Sequence, residues 1–168
     1  MTMTLNGSGT GTVGVPNSAT AQNSTSGTSI DFTGIPAGIK RITVMFNGVS
    51  TNGSSIVQIQ LGTSGGITTS GYNCASGSFT SSTPSVITLS TGFAPISGGS
   101  ASDVRYGNFV FTNVSSNVWT GVGQVNVGSY LGFGSGQVSL SGALDRVRVT
   151  TVNGTDTFDA GSINILYE

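Results

Sequence analysis

The sequence predicts an all-β fold: an antiparallel β-sandwich of jelly-roll type, preceded by an extended N-terminal arm. The strand formers Val, Ile, Thr and Phe are frequent in the 168 residues, whereas the good helix formers are scarce. Apolar and polar side chains alternate in several runs, which is the period of a strand with one buried face. Glycine-rich and Ser/Thr/Asn-rich turns separate these runs at regular spacing, as in sandwiches.

Residues 39 to 61 carry the clearest strand pattern. Two alternating runs are separated by a polar segment containing Asn52-Gly53, which predicts a β-hairpin because both residues tolerate the positive φ of tight turns. Lys40-Arg41 at the start of the first run is interpreted as a pair of charges on an edge strand, where it would prevent aggregation through pairing with another chain. The apolar positions of the two runs are predicted to form the centre of the core: Ile42, Val44, Phe46, Val57, Ile59 and Leu61.

The rest of the chain predicts further short strands. They are expected at residues 29–33, 85–89, 104–114, 118–127, 137–140, 144–152, 155–158 and 162–167, with 104–114 and 118–127 forming a long pair joined by a polar turn. Three Gly- and Ser-rich segments are predicted as loops: 62 to 84, with a weak strand near 67–72, then 91 to 102, and 128 to 136.

Residues 1 to 27 are predicted to form the arm and residues 28 to 168 the sandwich. From residue 6 to 29 the only sizeable apolar side chains are Val13 and Val15. Such a stretch cannot offset its backbone entropy by itself. It is either a flexible tail or an arm that becomes ordered on a neighbouring subunit, and Val13 and Val15 are therefore candidate partner contacts.

Charge and hydropathy argue against two classes of partner. The chain has five Lys and Arg and six Asp and Glu, which gives a net charge of −1. The sequence therefore predicts no basic surface for binding nucleic acid. No apolar run approaches the roughly 20 residues of a membrane-spanning helix, so membrane insertion is not predicted. The N-terminus lacks the basic and apolar regions of a secretory signal.

The residue inventory predicts a non-enzymatic protein with no catalytic residue, cofactor or metal. The chain contains no histidine, which removes the commonest general base and every His-dependent triad. One cysteine without histidine is insufficient for a zinc site. Cys74 is interpreted as a small, half-buried loop residue.

The acidic residues allow one alternative chemistry. Asp156 and Asp159 lie close together near a turn and could serve as a glycosidase pair or a calcium site. The favoured interpretation is that both carboxylates accept hydrogen bonds from turn amides.

Two arginines on one strand face are predicted to make ion pairs. In residues 144–152, Val147 faces one side while Arg146 and Arg148 face the other. They are expected to pair with Asp145 or Asp31, or to lie at a subunit contact.

Aromatic residues are the candidate contacts within the sandwich. Trp119, inside a strand, is interpreted as core, although an indole can also stack on a sugar. Tyr130 and Phe133, in the predicted loop 128 to 136, are candidate exposed contacts with a partner or host surface. Tyr72, in the loop region 62 to 84, is a further candidate.

Two stretches of the chain resemble a module of tailed-bacteriophage virion proteins. TSIDFTGIPAGIKRITVMFNGVSTNGSS and LSGALDRVRVTTVNGTDTFDAGSINILYE are similar to the C-terminal ends of phage tail-fibre and related structural proteins. The opening MTMTLNGSGTGTVGVPN is similar to the starts of such proteins. The resemblance covers residues 28 to 61 and 140 to 168, and the intervening residues diverge.

The resemblance implies a homotrimeric protein of the virion exterior, made in the host cytoplasm. Its partners would be copies of itself, phage coat or tail proteins, and a host surface glycan or receptor. The first hypothesis is a fibre tip or adhesin whose loops 62 to 84 and 128 to 136 contact the host. Fibre proteins usually carry a long shaft, which this chain lacks. The second hypothesis is therefore a capsid decoration or head-fibre subunit, anchored to the coat by residues 1 to 27.

Overall fold

A computed structural model describes residues 15–79 and 83–168, and over these ranges the protein is an antiparallel β-sandwich. The predicted fold class is confirmed. Val13 lies outside the described residues. No helix in the described part of the chain has the length and hydropathy needed to cross a membrane.

Thirteen strands are assigned within the described ranges. They are β1 (Asn17–Ser18), β2 (Gln22–Asn23), β3 (Ser29–Phe32), β4 (Arg41–Thr51), β5 (Val57–Thr63), β6 (Gly66–Ile67), β7 (Asn73–Phe79), β8 (Pro84–Leu89), β9 (Arg105–Ser115), β10 (Val118–Val127), β11 (Tyr130–Ser139), β12 (Leu144–Thr151) and β13 (Phe158–Tyr167).

The strands form one large and one small sheet. The large sheet has the order β1-β13-β4-β9-β10-β11-β7-β8, with β2 also paired to β13. The small sheet has the order β3-β12-β5-β6, and every pairing is antiparallel. The jelly-roll topology is compatible with this order and stays a prediction.

The core lies between the two sheets. All six positions predicted for its centre are buried, because β4 and β5 each direct their alternate apolar side chains inward. Trp119 of β10 is also buried, which confirms its interpretation as a core residue. On β13, Ile163 and Ile165 are buried and Tyr167 packs partly against the same core.

The predicted hairpin between residues 39 and 61 is wrong, because its two strands belong to different sheets. β4 pairs with β13 and β9, whereas β5 pairs with β12 and β6. The connection at Asn52-Gly53 crosses between the sheets and docks on the β12–β13 turn. Asn52 Oδ1 accepts the Thr157 N–H at 2.9 Å, and a Cβ at Gly53 would collide with the Asp156 carboxylate. Gly53 is therefore required for close approach.

The described part of the arm lies on its own chain. β1 and β2 pair with β13, and between them the Ala19 N–H donates to the Ile165 carbonyl at 2.9 Å. The Ser24 N–H donates to the Gly161 carbonyl at 3.0 Å, and Ser24 is fully buried. Residues 15 to 24 thus cover an edge of the large sheet that would otherwise present unpaired backbone groups.

The edge-strand interpretation of Lys40-Arg41 is also wrong. Arg41 begins β4, which has β13 on one side and β9 on the other. Its guanidinium lies 3.2 Å from Glu168, and Lys40 Nζ donates to Asn113 Oδ1 at 2.9 Å. Both side chains pair with neighbouring strand ends.

The prediction of a loop at residues 128 to 136 is wrong beyond the turn at its start. β11 runs from Tyr130 to Ser139 and forms a regular hairpin with β10. Its glycines reflect a close approach on the inner face: a Cβ at Gly132 would lie 2.5 Å from Ile96 Cβ. One at Gly134 would collide with the Ala94 carbonyl oxygen. The glycines are therefore part of the packing.

The segment that makes this approach, residues 91 to 102, is a loop as predicted, but its first half is buried. Phe93 exchanges backbone hydrogen bonds with Ile59 of β5 at 2.7 and 2.9 Å. Its ring contacts Tyr72, Phe109 and Phe111, with centroid distances of 5.3, 5.8 and 5.0 Å. This segment extends the small sheet and fills the core beneath β10 and β11.

The described part of the predicted loop region 62 to 84 contains strands. Residues 62–79 include β6 and β7, and β7 joins the large sheet beside β11. The predicted pairing of residues 104–114 with 118–127, in contrast, is confirmed by the β9–β10 hairpin.

Candidate partner-binding surfaces

Of the described residues predicted to contact partners, Val15 is the most exposed. Its side chain keeps 77% of its accessible surface, and it lies directly before β1. An isolated exposed valine is common on protein surfaces, so Val15 alone does not define a site.

The prediction that Tyr72 is a surface contact is wrong. Only 4% of Tyr72 is exposed, and its hydroxyl accepts the Leu61 N–H and donates to the Thr68 carbonyl, both at 2.9 Å. Burial raises the pKa of this phenol well above its usual value. Tyr72 holds the turn after β5 against the core and cannot reach a partner.

Tyr130 and Phe133 are half-buried and lie on opposite faces of β11, because they are three positions apart on one strand. Tyr130 packs partly against the core, and its hydroxyl donates to Asp103 Oδ1 at 3.2 Å. The charge of Asp103 and this hydrogen bond raise the pKa of Tyr130. Phe133 faces outward and stacks on Phe79 at 5.1 Å. The two aromatic residues therefore do not form one surface.

Phe133 belongs to a larger surface that the sequence did not predict, here called the apolar outer face. It comprises the outward side chains of β9, β10, β11, β7 and β8. Its exposed apolar members are Phe79, Val86, Tyr106, Val122 and Leu131. These five strands contain a single charged residue, Arg105, and that residue is fully buried. The face is therefore broad, partly apolar and uncharged.

A second surface lies on the outer side of the small sheet, and we call it the polar groove. It encloses about 330 Å³. The side chains that matter for its chemistry are Gln58, Gln60, Thr69, Thr91, Arg148 and Thr150. Gln58 and Gln60 alternate with core residues on β5, a pattern that in sequence indicates an ordinary solvent-facing strand side. Flanking residues instead bury both glutamines to 5% exposure or less.

Hydrogen bonds fix the two glutamines from one side. Thr91 Oγ1 donates to Gln58 Oε1 at 2.9 Å, and Gln60 Nε2 donates to the Thr91 carbonyl at 2.8 Å. Gln58 Nε2 reaches the Thr151 carbonyl only at 3.5 Å, the limit of a hydrogen bond. Gln60 Oε1 accepts no hydrogen bond from the described residues. The groove therefore offers a weakly engaged amide donor and a free acceptor.

The predicted ion pairs are present, and one of them borders the polar groove. Arg148 donates through Nε and Nη2 to the two carboxylate oxygens of Asp31 at 2.7 and 2.8 Å. This hydrogen bonding raises the pKa of Arg148. Arg146 pairs with Asp145 at 2.8 Å. Both pairs lie within the chain.

Cys74 is buried on β7, and burial raises the pKa of its thiol. The prediction of a half-buried loop position is therefore wrong, because this part of the chain forms a strand. In residues 15–79 and 83–168, no group of three or more acidic, Cys or His side chains could hold a metal ion.

Asp156 accepts hydrogen bonds in a turn, as the favoured interpretation predicted. Its carboxylate accepts the Asn153 side-chain N–H at 2.6 Å and the Ser55 backbone N–H at 2.8 Å. Asp159 accepts the Ser50 hydroxyl. The first two bonds, that from Asn153 being the larger effect, lower the pKa of Asp156.

We expect Asp156→Asn to lower the midpoint of urea denaturation at pH 7, because the amide cannot accept both hydrogen bonds. Since the pKa of Asp156 is lower in the folded state, its stabilisation is fully present above the unfolded value of about 4. It is lost as the pH falls through the depressed folded value. Urea denaturation from pH 7 to pH 2 should therefore show the variant and the parent converging in acid. A constant difference across this range would contradict the role of the charged carboxylate.

Comparison of the chain with protein-family models, curated proteins and solved structures gives no match.

Proposed function

We propose that the chain is a non-enzymatic bacteriophage virion protein of the particle exterior: a homotrimeric fibre tip or adhesin that contacts the host surface. The proposal rests on the resemblance of residues 28 to 61 and 140 to 168 to phage fibre modules. The location is the virion, after synthesis in the host cytoplasm.

The observation that carries the proposal is that the two resembling stretches assemble into one unit. The first stretch contains β3, β4 and most of β5, and the second contains β12 and β13. In the structure β12 lies between β3 and β5, and β13 pairs with β4 along most of its length. The 78 residues from 62 to 139 separate the stretches in sequence, yet they pair strand to strand. This supports treating them as one module rather than two chance similarities.

The remaining strands support the external role. Residues 62 to 136 supply the large-sheet extension that carries the apolar outer face. An uncharged face of this breadth suits contact between identical subunits, because no charge would be buried without a partner. This favours the outer face as the trimer contact.

The alternative is a capsid decoration or head-fibre subunit anchored by its N-terminal arm. Residues 15 to 24 already pair with β13 of the same chain, so anchoring would depend on residues 1 to 14. Deleting residues 1 to 14 is therefore the matched test of anchoring. Deleting residues 1 to 27 would also uncover the β13 edge and confuse loss of attachment with loss of stability.

The proposal is tested by locating the chain on particles of the phage that encodes it, with antibodies raised against the purified protein and electron microscopy. We expect label at the tail tip, and we expect the purified chain to compete with phage adsorption to host cells. Label on the head, with attachment to stripped capsids that is lost on deletion of residues 1 to 14, would establish the alternative. Unlabelled particles, with the chain present only in the infected-cell lysate, would overturn both.

A further inference from the structure

The polar groove has the properties of a ligand site rather than of an ordinary sheet surface. Its volume of about 330 Å³ falls at the lower end of the range of small-molecule sites. Gln60 is 5% exposed, yet its Oε1 has no hydrogen-bond partner among the described residues. This oxygen reaches the solvent of the groove, where it can accept a hydrogen bond from water or from a ligand.

The chemistry of the groove favours an uncharged ligand. Among the described residues that line it, only Arg148 is charged, and Asp31 engages that guanidinium through two hydrogen bonds. An anion would have to compete with this bidentate pair. Apart from Val152 and Gly154, the remaining lining residues carry amides and hydroxyls, which match a neutral ligand rich in hydroxyl groups.

The donors and acceptors are also spaced for such a ligand. Gln58 and Gln60 are two positions apart on β5, so their side chains emerge on the same face about 7 Å apart. Gln58 Nε2 is a weakly engaged donor and Gln60 Oε1 is a free acceptor. A sugar hydroxyl both donates and accepts, so the hydroxyls of one hexose ring can satisfy both groups at once.

We infer that the polar groove binds a single neutral sugar residue, with Gln58 and Gln60 forming hydrogen bonds with its hydroxyl groups. The inference rests on the proposed function, for which it supplies a site that recognises a host surface glycan. It places recognition on the small sheet, opposite the apolar outer face, so that subunit contact and sugar binding do not compete.

The test is NMR titration of the ¹⁵N-labelled full chain with glucose, galactose, N-acetylglucosamine and, separately, the acidic sugar N-acetylneuraminate. Concentrations up to about 20 mM exceed the Kd of roughly 1 mM expected for a few hydrogen bonds. We expect at least one neutral sugar to shift the side-chain amide signals of Gln58 and Gln60 saturably. Thr69→Trp, at an exposed position on the groove rim, should weaken this binding at least tenfold. The matched control is Thr20→Trp, at an exposed position between β1 and β2 that belongs neither to the groove nor to the apolar outer face, which should bind as the parent does.

Absence of a saturable shift with every neutral sugar would overturn the inference, and so would equal affinity of Thr69→Trp and the parent. Binding of N-acetylneuraminate alone would contradict the neutral class. The proposed function is judged separately, by competition of the purified chain with phage adsorption to host cells. If Thr69→Trp competes as well as the parent does, the groove is not the host-binding site, while the adhesin role stands. If sugar binds in the groove but particles carry no label, the groove stands and the virion role fails.

Discussion

Replacing Gly134 with alanine is expected to destabilise the protein by about 3 kcal/mol, one of the largest effects available to a single methyl group. A Cβ at this position would collide with the Ala94 carbonyl oxygen. That oxygen belongs to backbone, and the segment carrying it is held on β5 by the two hydrogen bonds between Phe93 and Ile59. The clash therefore cannot be relieved by rotating a side chain.

Urea denaturation at pH 7 measures this effect, with Gly98→Ala as the matched control. Gly98 lies in the same buried connection, but a Cβ there would meet nothing within 4 Å. Its replacement should change the free energy of unfolding by no more than about 0.5 kcal/mol. Equal midpoints for the two variants would show that residues 93 to 97 do not pack on β11 as described.

Replacing Asp103 with alanine is expected to cost about 3–5 kcal/mol, because it leaves a buried guanidinium without its counter-ion. Arg105 is fully buried, and its Nη2 lies 3.3 Å from Asp103 Oδ2. Burial lowers the pKa of Arg105, and the charge of Asp103 opposes that shift. Asp103 also accepts the Ser100 N–H at 2.9 Å and the Tyr130 hydroxyl at 3.2 Å. One carboxylate thus holds a turn, an arginine and the start of β11.

The matched control is Asp145→Ala, which removes the partner of Arg146 from a half-exposed ion pair and should cost no more than about 1 kcal/mol. Adding Arg105→Met to Asp103→Ala should restore part of the lost stability, because the unpaired charge is then gone. Urea denaturation of the four proteins measures both effects. The buried pair does not stabilise the fold in this way if Asp103→Ala lowers the free energy of unfolding no more than Asp145→Ala does. The same conclusion follows if the double variant is the least stable of the four proteins.

The limits of sequence interpretation are clearest at the glycines of β11. A run such as GFGSG lacks the large side chains by which strands are recognised, so it predicts a loop. The reason for Gly132 and Gly134 is the segment of residues 93 to 97, which lies about 40 positions away. A single sequence carries no signal of that neighbour. The burial of Gln58 and Gln60 could not be predicted for the same reason, because it depends on Thr91 and its neighbours, which are also distant in sequence.

The sequence by itself determined the all-β class, the inward faces of β4 and β5 and the β9–β10 hairpin, and it named Asp31 and Asp145 as candidate partners of Arg146 and Arg148. Each of these follows from local alternation or from a shortage of alternative charged partners. Tertiary structure alone decided which sheet each strand joins. Alternation along β4 and β5 is identical whether they pair as a hairpin or face each other across a core, because both arrangements bury the same side of each strand. The docking of Asn52-Gly53 on Asp156 and Thr157 selects the second arrangement, and that contact spans about 100 residues.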